Sequence, residues 1–307
     1  MRIAVPDLIS NSYFPAIAAV ELGFLKEERI EAELELLFPV PTTMEALRDG
    51  AVDFVAGSAH TTLMAFPNWN GAKLLMALGQ RTYWLLVVRS DLKAKRGELS
   101  VLKGLRIGAA PGVDLSLKRL LIEAGMDQER DRIQIGPVPG ATGAGVSFGL
   151  AAAKALEKGE IDGFWANAMG AEIAVRNGIG TVVLDIRRGD GPPAAWYHTF
   201  PALLTTERKI AQDPESVAAV MRATRKAQRV LQADPSRATE AARRHFPPAE
   251  AELIAELIRR DLPYYNPLIS EDVVAKMNSF AKNARLLSGT IPYEQVVAVK
   301  FRYLWTT

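Results

Sequence analysis

The chain has 307 residues, of which 49% are hydrophobic and 23% charged, with a formal net charge of +2 and no cysteine. Its length suits about two domains, and its composition is that of an ordinary soluble globular protein, which argues against a nucleic acid or an anionic membrane as partner. Disulfides, thiol nucleophiles and thiolate metal sites are excluded outright.

The first element is the apolar run Ile3-Ala4-Val5-Pro6, which begins too abruptly to be a secretory leader. It reads as a strand, followed by a polar loop and a helix through Glu21-Leu22-Gly23. A second strand is expected at residues 32–37. Next, Ala46-Leu47-Arg48-Asp49-Gly50 reads as a helix ending on a left-handed glycine cap. Val52-Asp53 and the short strand Phe54-Val55-Ala56 come after it, opening onto Gly57-Ser58-Ala59-His60. Residues 84–88 read as a strand that carries the chain across to a second unit.

That unit repeats the plan. Arg106-Ile107-Gly108-Ala109-Ala110-Pro111 is a strand with a helix running to Glu123-Ala124-Gly125, and a second strand is expected at residues 133–138. Ala155-Leu156-Glu157-Lys158-Gly159-Glu160-Ile161-Asp162-Gly163 aligns with residues 46–54 without a gap, and its strand Phe164-Trp165 opens onto Ala166-Asn167-Ala168. Both halves read strand, helix, strand, helix, strand, which predicts two similar parallel-sheet lobes. Lobe 1 is expected to comprise residues 1–86 and 200–307, and lobe 2 residues 87–199. A return strand at 197–204 supplies the second crossing of a hinge.

The last third predicts helices. Asp213-Pro214 and Asp234-Pro235 are cap-plus-proline starts. Further helices fit residues 248–260 and 270–287, and another begins at Pro292-Tyr293. The long uncharged stretches 54–72 and 133–153 are broken by Pro, Gly, Asn or His and do not read as bilayer spans.

Several of these stretches resemble the type 2 periplasmic-binding-protein superfamily, and within it the sulfonate-, taurine- and nitrate-type solute-binding proteins of ABC transporters. They are Glu21-Leu22-Gly23-Phe24-Leu25-Lys26, residues 46–59, the segment opening Leu102-Lys103-Gly104-Leu105-Arg106-Ile107-Gly108, and residues 155–175. The resemblance implies an α/β fold of two parallel-sheet-based lobes on a two-crossover hinge, with extra C-terminal helices. It implies a cleft that closes on a small organic solute, and the membrane subunits of an ABC importer as partner if the chain is exported. The same scaffold carries enzymes, including the pyrimidine synthase of thiamine biosynthesis and a dihydroxyphthalate decarboxylase. A cytosolic enzyme or ligand sensor is therefore the alternative. The compartment is periplasmic if a leader was removed and cytoplasmic otherwise.

Ligands of open parallel sheets bind beyond the carboxyl ends of the strands, which places Ser10, Asn11, Tyr13, Ser58, His60 and Thr61 on one side of the cleft. Gly112, Val113, Asp114, Trp165 and Asn167 face them from the other. Trp165 is a stacking wall or a core ring. His60 donates to ligand or caps its own helix, and Asp114 is expected to be held as a helix cap. Arg81, before the first crossing, is a bidentate clamp for a carboxylate or one half of an interlobe ion pair. His198 is a hinge-packing or ligand residue.

Gly136, Gly140, Gly143 and Gly145 form a flexible stretch that is either an anion nest or a plain turn. Gly145-Val146-Ser147-Phe148-Gly149 matches G-x-S-x-G but lacks the preceding strand that a nucleophile elbow needs. No phosphate loop and no metal-ligand spacing occurs, so no cofactor and no metal are expected. Together these readings predict a monomeric binder of a carboxylate-bearing or aromatic molecule, without nucleic acid.

Overall fold

The computed structural model describes residues 1–141 and 147–306. Lobe 1 opens with β1 (Arg2–Val5), α1 (Phe14–Glu21), α2 (Phe24–Glu27), β2 (Glu33–Leu36), α3 (Val40–Arg48), β3 (Phe54–Ser58) and β4 (Ala72–Ala77). The chain crosses to lobe 2, which holds β5 (Leu85–Arg89), β6 (Arg106–Ala109), α4 (Asp114–Glu123), β7 (Gln134–Gly136), α5 (Phe148–Glu157), β8 (Gly163–Ala166), α6 (Ala168–Arg176) and β9 (Gly180–Asp185). It returns through a 3₁₀ turn, Pro193–Tyr197, to β10 (Pro201–Thr206) in the first sheet. Six helices follow: α7 (Glu207–Gln212), α8 (Pro214–Ala233), α9 (Arg237–Ala242), α10 (Pro248–Asp261), α11 (Glu271–Asn283) and α12 (Tyr293–Val296). Among the described residues, no helix is long and apolar enough to cross a membrane.

The two five-stranded sheets have the same plan, β2-β1-β3-β10-β4 and β7-β6-β8-β5-β9. Both are mixed rather than purely parallel. In each, the strand delivered by a crossing, β10 or β5, runs antiparallel to both its neighbours. Central strands such as β3 and β10 are buried along their whole length and read as apolar runs. The edge strand β2 alternates Glu and Leu and is partly exposed.

The aspartates of the repeat explain why it is visible in the sequence. Ile3 pairs with Phe54 and Ile107 with Gly163, so both halves share one register. The Asp53 carboxylate accepts from the Arg2 N–H at 2.9 Å, and Asp162 accepts from the Arg106 N–H at 3.0 Å. Each therefore caps the start of its lobe's first strand. Gly50 and Gly159 take the expected left-handed conformation, with φ of 75° and 69°.

The crossings run side by side between the sheets. Leu78 N–H donates to Pro201 O at 2.8 Å and Thr82 N–H to Trp196 O at 2.9 Å. Gln228 of α8 donates to Ala77 O and Leu78 O, fixing the C-terminal helices to the hinge. Three sequence readings shift. Residues 197–200 are not strand, because the 3₁₀ turn runs through Tyr197 and β10 starts at Pro201. Asp234 accepts from the Ser236 N–H and hydroxyl, and its helix starts only at Arg237. The helix expected to reach Leu287 ends at Asn283, where Arg285 turns left-handed with φ 59°.

Candidate functional site

A small cavity of about 40 Å³ lies where the two sheets face one another. Lobe 1 contributes Asp7, Ser10, Ser12 and Tyr13 from the β1–α1 loop, and Phe38 and Val40 at the start of α3. The first crossing contributes Tyr83 and Trp84. Lobe 2 contributes Ala110, Val113, Phe148, Trp165 and Asn167. These segments follow β1, β2, β6, β7 and β8, at the carboxyl ends of parallel strands.

Six of the fifteen lining residues carry aromatic rings. Trp84 and Trp165 stand 5.9 Å apart, Tyr83 and Trp84 4.9 Å. Phe38 of lobe 1 stacks on Phe148 of lobe 2 at 6.0 Å across the mouth. Tyr83 Oη is within hydrogen-bond distance of Tyr13 Oη at 2.9 Å and of Ser58 Oγ at 2.6 Å. Burial holds the Tyr13 phenol neutral, with its pKa pushed up to about 12. Trp165 is fully buried, lines the cavity, and its indole N–H has no partner. The Ser12 hydroxyl is likewise buried and unpartnered.

The charge in this wall is Asp7. Its Oδ2 accepts from Ser147 Oγ at 3.0 Å and from Asn167 Nδ2 at 3.2 Å, and its Oδ1 from the Ile9 N–H at 3.0 Å. Ser147 and Asn167 belong to lobe 2, so this carboxylate fastens the lobes together. Burial raises its pKa to about 6, and the hydrogen bonds from Ser147, Asn167 and the backbone of Ile9 and Gly149 only partly offset that. Asn167 is locked from both ends. Its Oδ1 accepts from the N–H groups of Met169 and Gly170 as the cap of α6.

Of the residues expected from the sequence, Ser10, Tyr13, Val113, Trp165 and Asn167 line the cavity. Ser58 stands behind Tyr83 as its hydrogen-bond partner. Asn11 turns away, donating to Asp261 at 2.6 Å. His60, Thr61 and Gly112 form a separate interlobe contact. His60 Nε2 lies 3.0 Å from Gly112 O, so it carries the proton, and burial lowers the imidazole pKa to about 4. A Cβ on Gly112, whose φ is +83°, would meet Met64 at 3.2 Å and Thr61 at 3.5 Å.

Two expectations are corrected. Arg81 does not face the cavity: its guanidinium lies over the Trp196 and Tyr264 rings and donates to Arg187 O at 3.3 Å. Asp114 is not a helix cap. It is the first residue of α4 and pairs with Lys118 at 2.5 Å, while Val113 holds the cap position. His198 takes the packing alternative, stacked on Phe280 at 4.3 Å and within hydrogen-bond distance of Ser116 and Glu123. Gly143 and Gly145 of the glycine stretch lie outside the described residues. Ser147 begins α5 and donates to Asp7.

Sequence reasoning missed Asp7, Phe38, Tyr83, Trp84 and Phe148. Asp7 had a signal, since it stands two residues beyond the end of β1.

Comparison with known proteins decides the family. The NMT1/THI5-like sequence profile matches residues 10–238, well over half of the chain. The chain belongs to the NMT1/THI5-like family. No curated protein matches it. Among solved structures, this family member superposes on a protein of Bordetella bronchiseptica RB50 with TM-score 0.73 and 19% identity, over 97% of this chain and 92% of that one. The alkanesulfonate-binding protein SsuA of Xanthomonas axonopodis pv. citri, bound to MOPS, gives TM-score 0.70 and 18% identity over 98% and 96%. The desulfurization enzyme DSZB, in complex with biphenyl-2-sulfinic acid, gives TM-score 0.66 and 15% identity over 98% and 97%. These likenesses establish the type 2 periplasmic-binding-protein fold for this NMT1/THI5-like chain, a fold that a binding protein and an enzyme share.

Proposed function

We propose that the chain is a solute-binding protein that closes its two lobes on one small, planar organic molecule for delivery to an ABC importer, on the outer side of the membrane that the importer spans. One observation carries this reading: the aromatic cavity is divided between the lobes, and Asp7 of one lobe accepts hydrogen bonds from Ser147 and Asn167 of the other. A ligand touching both walls gains its contacts only in the closed form, and that differential affinity is what drives closure. Six rings at the wall suit a flat body that stacks.

A catalytic reading draws on Asp7, the cavity acid whose pKa of about 6 suits proton transfer near neutrality. Native mass spectrometry on protein purified from its own host separates the two. A binder carries one small molecule that comes back with unchanged mass after overnight incubation with fresh protein. Conversion of that molecule to a product of different mass would overturn the transport reading in favour of the enzyme.

A further inference from the structure

Resting on the reading of the cleft as a ligand site, we propose that the molecule it holds carries a positively charged N–H group that docks on the Asp7 carboxylate, so that the protein selects organic cations over organic anions. Among the lining residues described, the one charged side chain is an acid. Asp7 is that acid, and its contacts, Ser147, Asn167 and the backbone of Ile9 and Gly149, are neutral donors that bring no formal positive charge to it. Neither Lys, Arg nor His lines the cavity among the described residues. Aromatic faces present the negative side of their quadrupole, which attracts a cation and repels an anion.

The usual homes for an external anion are also poorly suited to one. A helix N-terminus offers free N–H groups and the positive end of a dipole. On the lobe 2 side of the cavity, α5 begins at Ser147–Phe148, and Asp7 occupies that end as the protein's own anion. The first turn of α4 holds Asp114, and the N–H groups at the start of α6 are filled by the Asn167 side chain. An incoming sulfonate or carboxylate would meet one acid at the cavity wall, the ends of α5 and α6 already served, and a second acid, Asp114, in the first turn of α4. The unpartnered donor of Trp165 Nε1 asks for something different, an acceptor atom elsewhere on the same ligand.

Titration gives the proposal a sign that a structural latch alone does not supply. From the β1–α1 loop Tyr13 faces Asp7, and Tyr83 adjoins it from the crossing; both are phenols held neutral by burial. The starts of α3, α5 and α6 bring no ionisable side chain, and Asp114 of α4 is neutralised by Lys118. Burial shifts Asp7 from 3.8 to about 6, a disfavouring of its ionised closed form on the order of a hundredfold. A bound cation reverses that cost and competes with the proton. A bound anion adds to the cost and recruits the proton. Acidification from pH 7 to pH 5 therefore weakens a cation and strengthens a permanently charged anion.

The experiment is isothermal calorimetry on the full chain with four probes sharing one ring: benzamidinium, benzylammonium, benzyl alcohol and benzenesulfonate, at pH 7 and pH 5, on wild type and Asp7→Asn. The expected result is binding of a cation at least tenfold tighter than benzyl alcohol, no binding of the sulfonate, a weaker cation at pH 5, and loss of the cation's advantage in Asp7→Asn. Because the wild-type pH profile carries the same information, the test survives a variant that folds poorly. Sulfonate binding tighter than either cation, strengthening at pH 5, overturns the charge assignment and leaves the cleft a ligand site. Absence of heat with all four probes overturns the ligand site for a benzenoid body and this assignment with it.

Discussion

The two walls of the cleft are built by the same fold and do different work. Lobe 1 brings the polar groups, Asp7, Ser10, Ser12 and Tyr13, on the loop after its first strand. The corresponding loop of lobe 2 brings Ala110 and Val113, and its own acid, Asp114, is turned to Lys118 along the helix. Lobe 2 instead contributes helix starts and neutral donors. The carboxylate and its donors thus sit on opposite lobes, and they satisfy each other only when the cleft is shut. Under the proposed function, closure and recognition use one residue of a duplicated plan.

The largest expected effect comes from the ring wall. Trp165 is fully buried beside Trp84, so Trp165→Ala should lower stability by about 3–5 kcal/mol, the usual cost of removing a buried aromatic. Urea denaturation measures it. A loss below about 1 kcal/mol would mean that the wall is loosely packed and that lobe 2 contributes less structure than this account assigns it.

The second prediction sets Asp7 against His60, two buried titrating groups that touch the opposite lobe. His60 falls from 6.5 to about 4, so its contribution is intact above 6.5 and is lost as pH falls toward 4. Asp7 rises from 3.8 to about 6, so its contribution is intact below 3.8 and is lost as pH rises toward 6. Each is on the order of 3 kcal/mol, and they oppose one another between pH 4 and 6. Relative to wild type, Asp7→Asn should lose stability on acidification and His60→Gln should gain it. Chemical denaturation at pH 4, 5, 6 and 7 reads both, and difference profiles of equal sign would break the pairing.

Much of this plan was legible because chain physics wrote it twice. Gly50 and Gly159 need the same left-handed turn, and Asp53 and Asp162 cap the same strand start, so the two halves align by residue type. Trp165 and Asn167 could be placed because they follow a recognisable strand directly. Arg81 was misplaced for the opposite reason. It lies in a crossing with φ of 65°, where neither strand nor helix period says which way a side chain points. Asp7, Tyr83 and Phe38 became functional through pairing across the cleft, and a local pattern in one lobe does not report its neighbour in the other.

Smaller effects sharpen the contrast between the lobes. Asn167→Ala removes the cap of α6 and a donor to Asp7 together, for a loss of about 1–2 kcal/mol. A serine at the same position, able to cap but too short to reach Asp7, should recover most of the stability and little of the ligand affinity. Lys118→Ala, which frees the partly exposed Asp114, should change stability by less than about 0.5 kcal/mol. Comparable losses from Asn167→Ala and Lys118→Ala in thermal unfolding would erase the distinction drawn between the acids of the two lobes.

Closure on a ligand is the claim on which the rest depends, and small-angle X-ray scattering tests it most directly. The protein would be stripped of small molecules and measured at pH 7, alone and saturated with the tightest of its ligands, alongside Asp7→Asn. The account predicts that the radius of gyration falls on saturation of the wild type and falls less in the variant, whose neutral amide at position 7 holds the lobes less well. An identical radius in both wild-type samples, with binding verified by calorimetry, would contradict a cleft that shuts on its ligand.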